Sequence, residues 1–176
     1  MSETGLIHLY YGEGKGKTTA AVGLALRCAG QDGKVVLAQF LKDGTSGECR
    51  MLAAMDSVTV LSANPSRKFY RRMTDTERIQ TADAIRRTFT AATAFSVREQ
   101  VNLLIFDEIC AAIQYDFIEE AQLLSFLDEK PKTLEIVLTG RKASDEMMKR
   151  ADYITEMVKR RHPFDRGIVA REGIEY

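Results

Sequence analysis

Short apolar runs and longer amphipathic stretches alternate along this chain from one end to the other. Residues 6–11 form a run of strand length, a glycine-rich turn follows, and a helix is expected over 17–29, stopping at Gly30 with Gly33 just beyond. A second strand is predicted over 34–41, a loop over 44–47, a short helix over 48–55 and a β-branched strand over 58–61. Residues 62–73 show neither period. Thr74-Asp75-Thr76-Glu77 has the Thr-x-x-Glu form of a capping box, in which two side chains satisfy orphan backbone N–H groups, and it opens a helix reaching about residue 98. The nearly all-apolar segment 102–106 suits a strand covered on both faces. Asp116-Phe117-Ile118-Glu119 predicts a second capping box, with Asp as the cap, and a helix ending near residue 129 before Pro131. A buried strand over 134–138, a helix over 144–150 and short strands over 153–158 and 168–170 complete the pattern. The alternation predicts an α/β fold, a mostly parallel β-sheet with helices on both faces.

A chain of 176 residues with 45% hydrophobic content suffices for one substantial core, so residues 1–176 are expected to form a single domain. Lys plus Arg and Asp plus Glu both total 25, which removes any global electrostatic reason to expect nucleic acid or an anionic membrane as partner. Residues 1–5 lack the basic and apolar stretches of a signal peptide, and no apolar segment approaches membrane-spanning length; a cytoplasmic protein is expected. The cysteines, Cys28, Cys49 and Cys110, have no paired spacing suited to zinc or to a disulfide framework and read as reduced, buried thiols.

Candidate chemistry begins at the turn after the first strand. Gly12-Glu13-Gly14-Lys15-Gly16-Lys17-Thr18-Thr19 stands between strand and helix, where a phosphate loop belongs, and makes the fold P-loop NTPase-like. Its glycines let successive backbone N–H groups turn inward as an anion nest, and the helix N-terminus adds its positive dipole end. Lys17 is expected on phosphate oxygens and Thr18 on Mg²⁺ through its hydroxyl. The loop departs from G-x-x-x-x-G-K-[ST] because Tyr11 stands five before Gly16, so the first glycine arrives one position late. The second element is the apolar segment 103–106 followed by Asp107 and Glu108. Carboxylates at a strand's C-terminal end lie in the crevice where open α/β sheets bind ligands, and with the phosphate loop this pair makes Thr18, Asp107 and Glu108 the expected metal site. A pair of acids after a strand also serves as a helix cap or solvated turn.

From residue 6 to residue 176 the chain resembles the ATP:corrinoid adenosyltransferases. The resemblance is carried by residues 12–21, Gln39-Phe40-Leu41-Lys42 with Gly47-Glu48, Phe106-Asp107-Glu108, Val137-Leu138-Thr139-Gly140-Arg141, Ala151-Asp152 and the ending HPFDRGIVAREGIEY over 162–176. It implies a homodimer that takes ATP as co-substrate with Mg²⁺ or Mn²⁺, and cob(I)alamin or another reduced corrinoid as acceptor. Residues 12–19 would hold the triphosphate, Thr18 and Glu108 the metal, with Asp107 beside it. Cobalt(I) would attack C5′ of the ribose and release triphosphate, and a separate flavoprotein would supply the reductant. Two departures follow: the family's longer N-terminal arm is reduced here to residues 1–5, and no Trp occurs in the variable segment, where Phe69-Tyr70 is the nearest aromatic pair. Phe69 and Tyr70 are therefore candidate corrinoid contacts, or an ordinary packed loop.

Arg141 follows a strand and reads equally as an ATP contact or a surface salt bridge. The basic run Arg67, Lys68, Arg71, Arg72 reads as a solvated helix approach or loop, with phosphates or corrinoid side groups as the alternative partners. With only His8 and His162, a histidine metal site is not expected, and the methionines read as core filling. A P-loop kinase or ATPase remains an alternative, as does a non-catalytic corrinoid carrier with an ATP switch; product analysis separates them.

Overall fold

The computed structural model describes residues 4–63 and 70–175 of the chain. Six strands, β1 (Ile7–Tyr11), β2 (Val35–Gln39), β3 (Val58–Ser62), β4 (Leu103–Asp107), β5 (Glu135–Gly140) and β6 (Tyr153–Glu156), form one sheet in the order β3-β2-β4-β5-β1-β6. Every pairing is parallel. The strands β2 and β4 are buried at every position, because helices cover both faces, and this is why their sequences are almost continuously apolar.

Alternate strand residues sort into two cores. Val36, Ala38, Leu104, Phe106, Ile136 and Leu138 pack on one face against α3 (Asp75–Arg98), α4 (Ile109–Gln114), α5 (Glu120–Glu129) and α6 (Asp145–Arg150). Val35, Leu37, Leu103, Ile105 and Val137 face α1 (Lys17–Ala29) and α2 (Gly47–Ala53). Small residues at Ala21, Ala25 and Ala29 let α1 lie close on the sheet. Among the described residues no helix is long and apolar enough to cross a membrane.

Most boundaries fall within a residue or two of those expected, and the first capping box forms in both directions: Glu77 N–H donates to Thr74 Oγ1 and Thr74 N–H to Glu77 Oε2. The second does not form. Asp116 adopts a left-handed backbone (φ 57), with its N–H on Ile113 O and that of Phe117 on Ala112 O. That is the Schellman arrangement, so Asp116 ends α4, a helix the sequence pattern did not separate, and α5 starts later with Glu119 as cap. Residues 168–170 form no strand; Ile168 and Val169 are exposed, and β6 pairs with β1 alone.

Candidate active site at the phosphate loop

Because every strand runs the same way, the ends of β1, β2, β4 and β5 open onto one edge of the sheet. The loop after Tyr11 turns at Gly12 (φ 110) and again at Gly16 (φ 116), conformations that side chains rarely adopt. A Cβ on Gly12 would also lie 2.6 Å from the carbonyl oxygen of Met157. Gly12 thus takes the role of the glycine displaced by Tyr11. The loop is pinned from below: Gly12 N–H donates to Arg141 O and Gly14 N–H to Met157 O at 2.6 Å. The amides at the head of α1, which have no intrahelical acceptor and sit at the positive dipole end, are left for an anion. The Lys17 ammonium donates to the carbonyls of Gly12 and Gly14, both at 2.7 Å, and burial holds it below the usual lysine range.

Register explains the next layer. Gln39 pairs with Asp107, and one step along the sheet Phe106 pairs with Leu138, so Asp107 is flanked by Gln39 on β2 and Thr139 on β5. Asp107 is fully buried and its four acceptor positions are filled. Oδ1 accepts from Thr18 Oγ1 and Thr139 Oγ1, each at 2.8 Å; Oδ2 accepts from Gln39 Nε2 at 3.1 Å and faces Lys42 Nζ at 3.0 Å. Burial alone would lower Lys42, but the Asp107 charge and hydrogen bond, together with the charges of Glu108 and Glu48, raise the ammonium above the ordinary lysine range.

Glu108 follows in a left-handed conformation (φ 62, ψ 25) unusual for a residue with a side chain, its N–H held by Thr139 Oγ1 at 2.9 Å. Burial, then the charge of Asp107, raises its carboxyl above the usual glutamate range. A cavity of about 410 Å³ is lined by residues 14–19, Val22, Lys42, Glu48 and Glu108, and closed on one side by Gly173, Ile174 and Glu175. Glu175 is held by Arg171, and this pairing depresses its carboxyl to about 2.

The profile of the family described as ATP:corrinoid adenosyltransferase BtuR/CobO/CobP matches residues 3–176. This chain belongs to that family. It is 33% identical to a corrinoid adenosyltransferase of Sinorhizobium sp over 181 residues, covering 99% of this chain and 81% of the relative. Against the corrinoid adenosyltransferase of Escherichia coli (strain K12) the identity is 30%, covering 100% and 88%. Against corrinoid adenosyltransferase CobA of Salmonella typhimurium (strain LT2) it is 29%, with the same coverage. An adenosyltransferase of this family is a transferase that takes ATP as co-substrate and a corrinoid as acceptor, and the kinase or ATPase alternative is not favoured.

The adenosyltransferase fold brings Gly14, Lys15, Gly16, Lys17, Thr18, Thr19 and Glu108 to one cavity, with Asp107 directly behind Thr18. Arg141 and Glu13 are not among the residues that line the cavity; they form an exposed ion pair with each other at 3.0 Å. Tyr70 lies elsewhere, in the 3₁₀ turn Tyr70–Arg72, its ring stacked on Tyr115 at 4.2 Å and under the guanidinium of Arg78. Phe69, with Arg67 and Lys68, is outside the described residues. The residues that complete the Asp107 layer, Gln39, Lys42 and Thr139, had no role assigned from the sequence. All three stand in the segments that carry the family resemblance, which was the available signal. The same holds for the ending, which supplies a wall of the cavity.

Proposed function

We propose that this cavity binds the polyphosphate of ATP and a divalent cation, and that the protein transfers the adenosyl group from C5′ to the cobalt(I) of a reduced corrinoid. The observation that carries the reading is the convergence of the head of α1, Lys17, Thr18 and Glu108 on one cavity. Among the described residues no group of three or more His, Cys, Asp or Glu gathers around an ion position. The donor set is instead a hydroxyl and carboxylates. The Thr18 hydroxyl donates a hydrogen bond to Asp107, which leaves its oxygen an acceptor, and it lines the cavity together with Glu108. Hard oxygen donors of this kind fit Mg²⁺ or Mn²⁺, with phosphate oxygens completing the shell. When bound, the ion would neutralise charge on the leaving triphosphate.

The chain's own residues position and neutralise. The α1 amides and Lys17 hold the polyphosphate, Lys17 exchanging its bonds to Gly12 and Gly14 for phosphate oxygens, and Arg141 exchanges Glu13 for the nucleotide. Cobalt(I) is the nucleophile, so the Co–C bond forms as the C5′–O bond breaks and no side chain has to take a proton. Catalysis then rests on alignment of cobalt, C5′ and leaving oxygen. A homodimer, a flavoprotein reductant and a cytoplasmic setting belong to the same proposal, with Phe69 and Tyr70 as corrinoid contacts.

Incubation with ATP, Mg²⁺ and chemically reduced cobalamin tests it. Intact triphosphate should appear in equal amount with adenosyl-corrinoid, and no ATP should be consumed without the corrinoid. Release of ADP and phosphate at a rate indifferent to corrinoid would replace it with a hydrolase or kinase reading.

A further inference from the structure

The Lys42 side chain touches Thr18, one of the proposed metal donors, and Asp107 behind it. Its Nζ lies 3.0 Å from Thr18 Oγ1, to which it donates, and 3.0 Å from Asp107 Oδ2. The Thr18 hydroxyl donates to Asp107 Oδ1, and Lys42 takes one of the two lone pairs through which Thr18 could hold a cation, placing its positive charge at bonding distance from that oxygen. Lys42 also lines the cavity with the phosphate loop and keeps about a third of its side chain exposed, which gives the ammonium room to move. Its backbone is fixed independently, with Lys42 O accepting from Ser62 Oγ at 2.6 Å.

Resting on the nucleotide site proposed above, we infer that Lys42 is a placeholder cation: its ammonium occupies the metal's seat on Thr18 until a polyphosphate draws it away. Two positive charges cannot share one hydroxyl oxygen at bonding distance without strong repulsion. In the nucleotide-free protein a divalent ion must therefore displace an ammonium that already neutralises buried Asp107. The arriving phosphates offer that ammonium new oxygens while remaining near Asp107, and Thr18 is freed for the metal. Metal and nucleotide are then taken up together, and the free protein does not hold a bare ion.

The test is Mn²⁺ binding to the full chain, read by electron paramagnetic resonance without nucleotide, for wild type, Lys42→Gln and Lys42→Arg. Glutamine keeps a donor for Asp107 without the charge, and thermal melting checks that it folds; Lys42→Ala is the second neutral variant should it not. Wild type and Lys42→Arg should bind Mn²⁺ weakly, whereas the neutral variant should bind it at least about tenfold tighter. Linkage adds a reciprocal readout by calorimetry: the factor by which Mn²⁺ tightens ATP binding, against ATP in chelator, should shrink in the neutral variant. Equal Mn²⁺ affinity in wild type and the neutral variant would overturn the placeholder while leaving the nucleotide site standing. Failure of the wild type to bind ATP at all would instead overturn the nucleotide site on which it rests.

Discussion

Thr139 donates its hydroxyl proton to Asp107 Oδ1 at 2.8 Å and, with the same oxygen, accepts the N–H of Glu108 at 2.9 Å. One β5 side chain thus orients a buried carboxylate and fixes the left-handed residue beside it. Thr139→Val keeps the shape and removes both bonds. A loss of about 1–3 kcal/mol in stability is expected from the unsatisfied groups, together with a fall in kcat, since Asp107 would be less firmly oriented toward Thr18. Denaturant unfolding and steady-state kinetics check the two effects; unchanged kcat would limit Thr139 to a structural part.

Lys17→Ala should weaken ATP binding by roughly 100-fold or more, because it removes the side chain proposed to reach phosphate from within the loop. The wild-type ammonium also ties Gly12 to Gly14 through their carbonyls, so the loop of the variant should become more protease-sensitive. Calorimetry with ATP is the direct measurement, and ordinary affinity would count against the site.

Glu108→Gln is nearly isosteric and should lower turnover at limiting Mg²⁺ by at least about tenfold with little loss of fold. The pH dependence has a definite sign. Burial and Asp107 raise the Glu108 carboxyl in the nucleotide-free protein, so folding favours its neutral form relative to an ordinary glutamate. The associated stability is present below the ordinary glutamate value of 4.5 and is lost as pH rises through the raised value. Melting temperatures of the nucleotide-free protein should decline across that window, and the decline should be smaller in Glu108→Gln. Identical slopes would show that Glu108 carries no such shift.

Tyr70 stacks on Tyr115 and meets Phe117 edge-on at 5.5 Å, so Tyr70→Ala should cost about 1–3 kcal/mol in stability through lost packing. The proposed corrinoid contact makes a separate demand. Replacing both Phe69 and Tyr70 by Ala should also raise KM for the corrinoid while leaving ATP affinity alone. An unchanged corrinoid KM would reduce Tyr70 to a packing residue.

Burial raises the Cys110 thiol to about 12, whereas Cys28 is half-buried and Cys49 donates to Gln39 Oε1 at 2.9 Å. Thiol titration of the native protein near pH 8 should reach Cys28 first and leave Cys49 and Cys110 unreacted until denaturant is added. Rapid native modification of all three would contradict the packing around β2 and α4.

Features whose cause lies within a few residues were legible in the sequence: the capping box at Thr74, the glycine turn ahead of α1, the apolar strands and the acids that close β4. Asp116 shows where that ends. The same Asp can cap the next helix or, left-handed, stop the previous one, and the outcome goes with Phe117, which is buried in the core next to that stop. The environment of Asp107 lies further out of reach, since its partners Thr139, Gln39 and Thr18 stand 32, 68 and 89 positions away. They meet because β4 lies between β2 and β5 and the phosphate loop closes over the same edge. Strand order is set by which faces can be buried together across the whole chain, so only the folded arrangement could show that the Asp107 carboxylate is already filled and that Lys42 sits on Thr18.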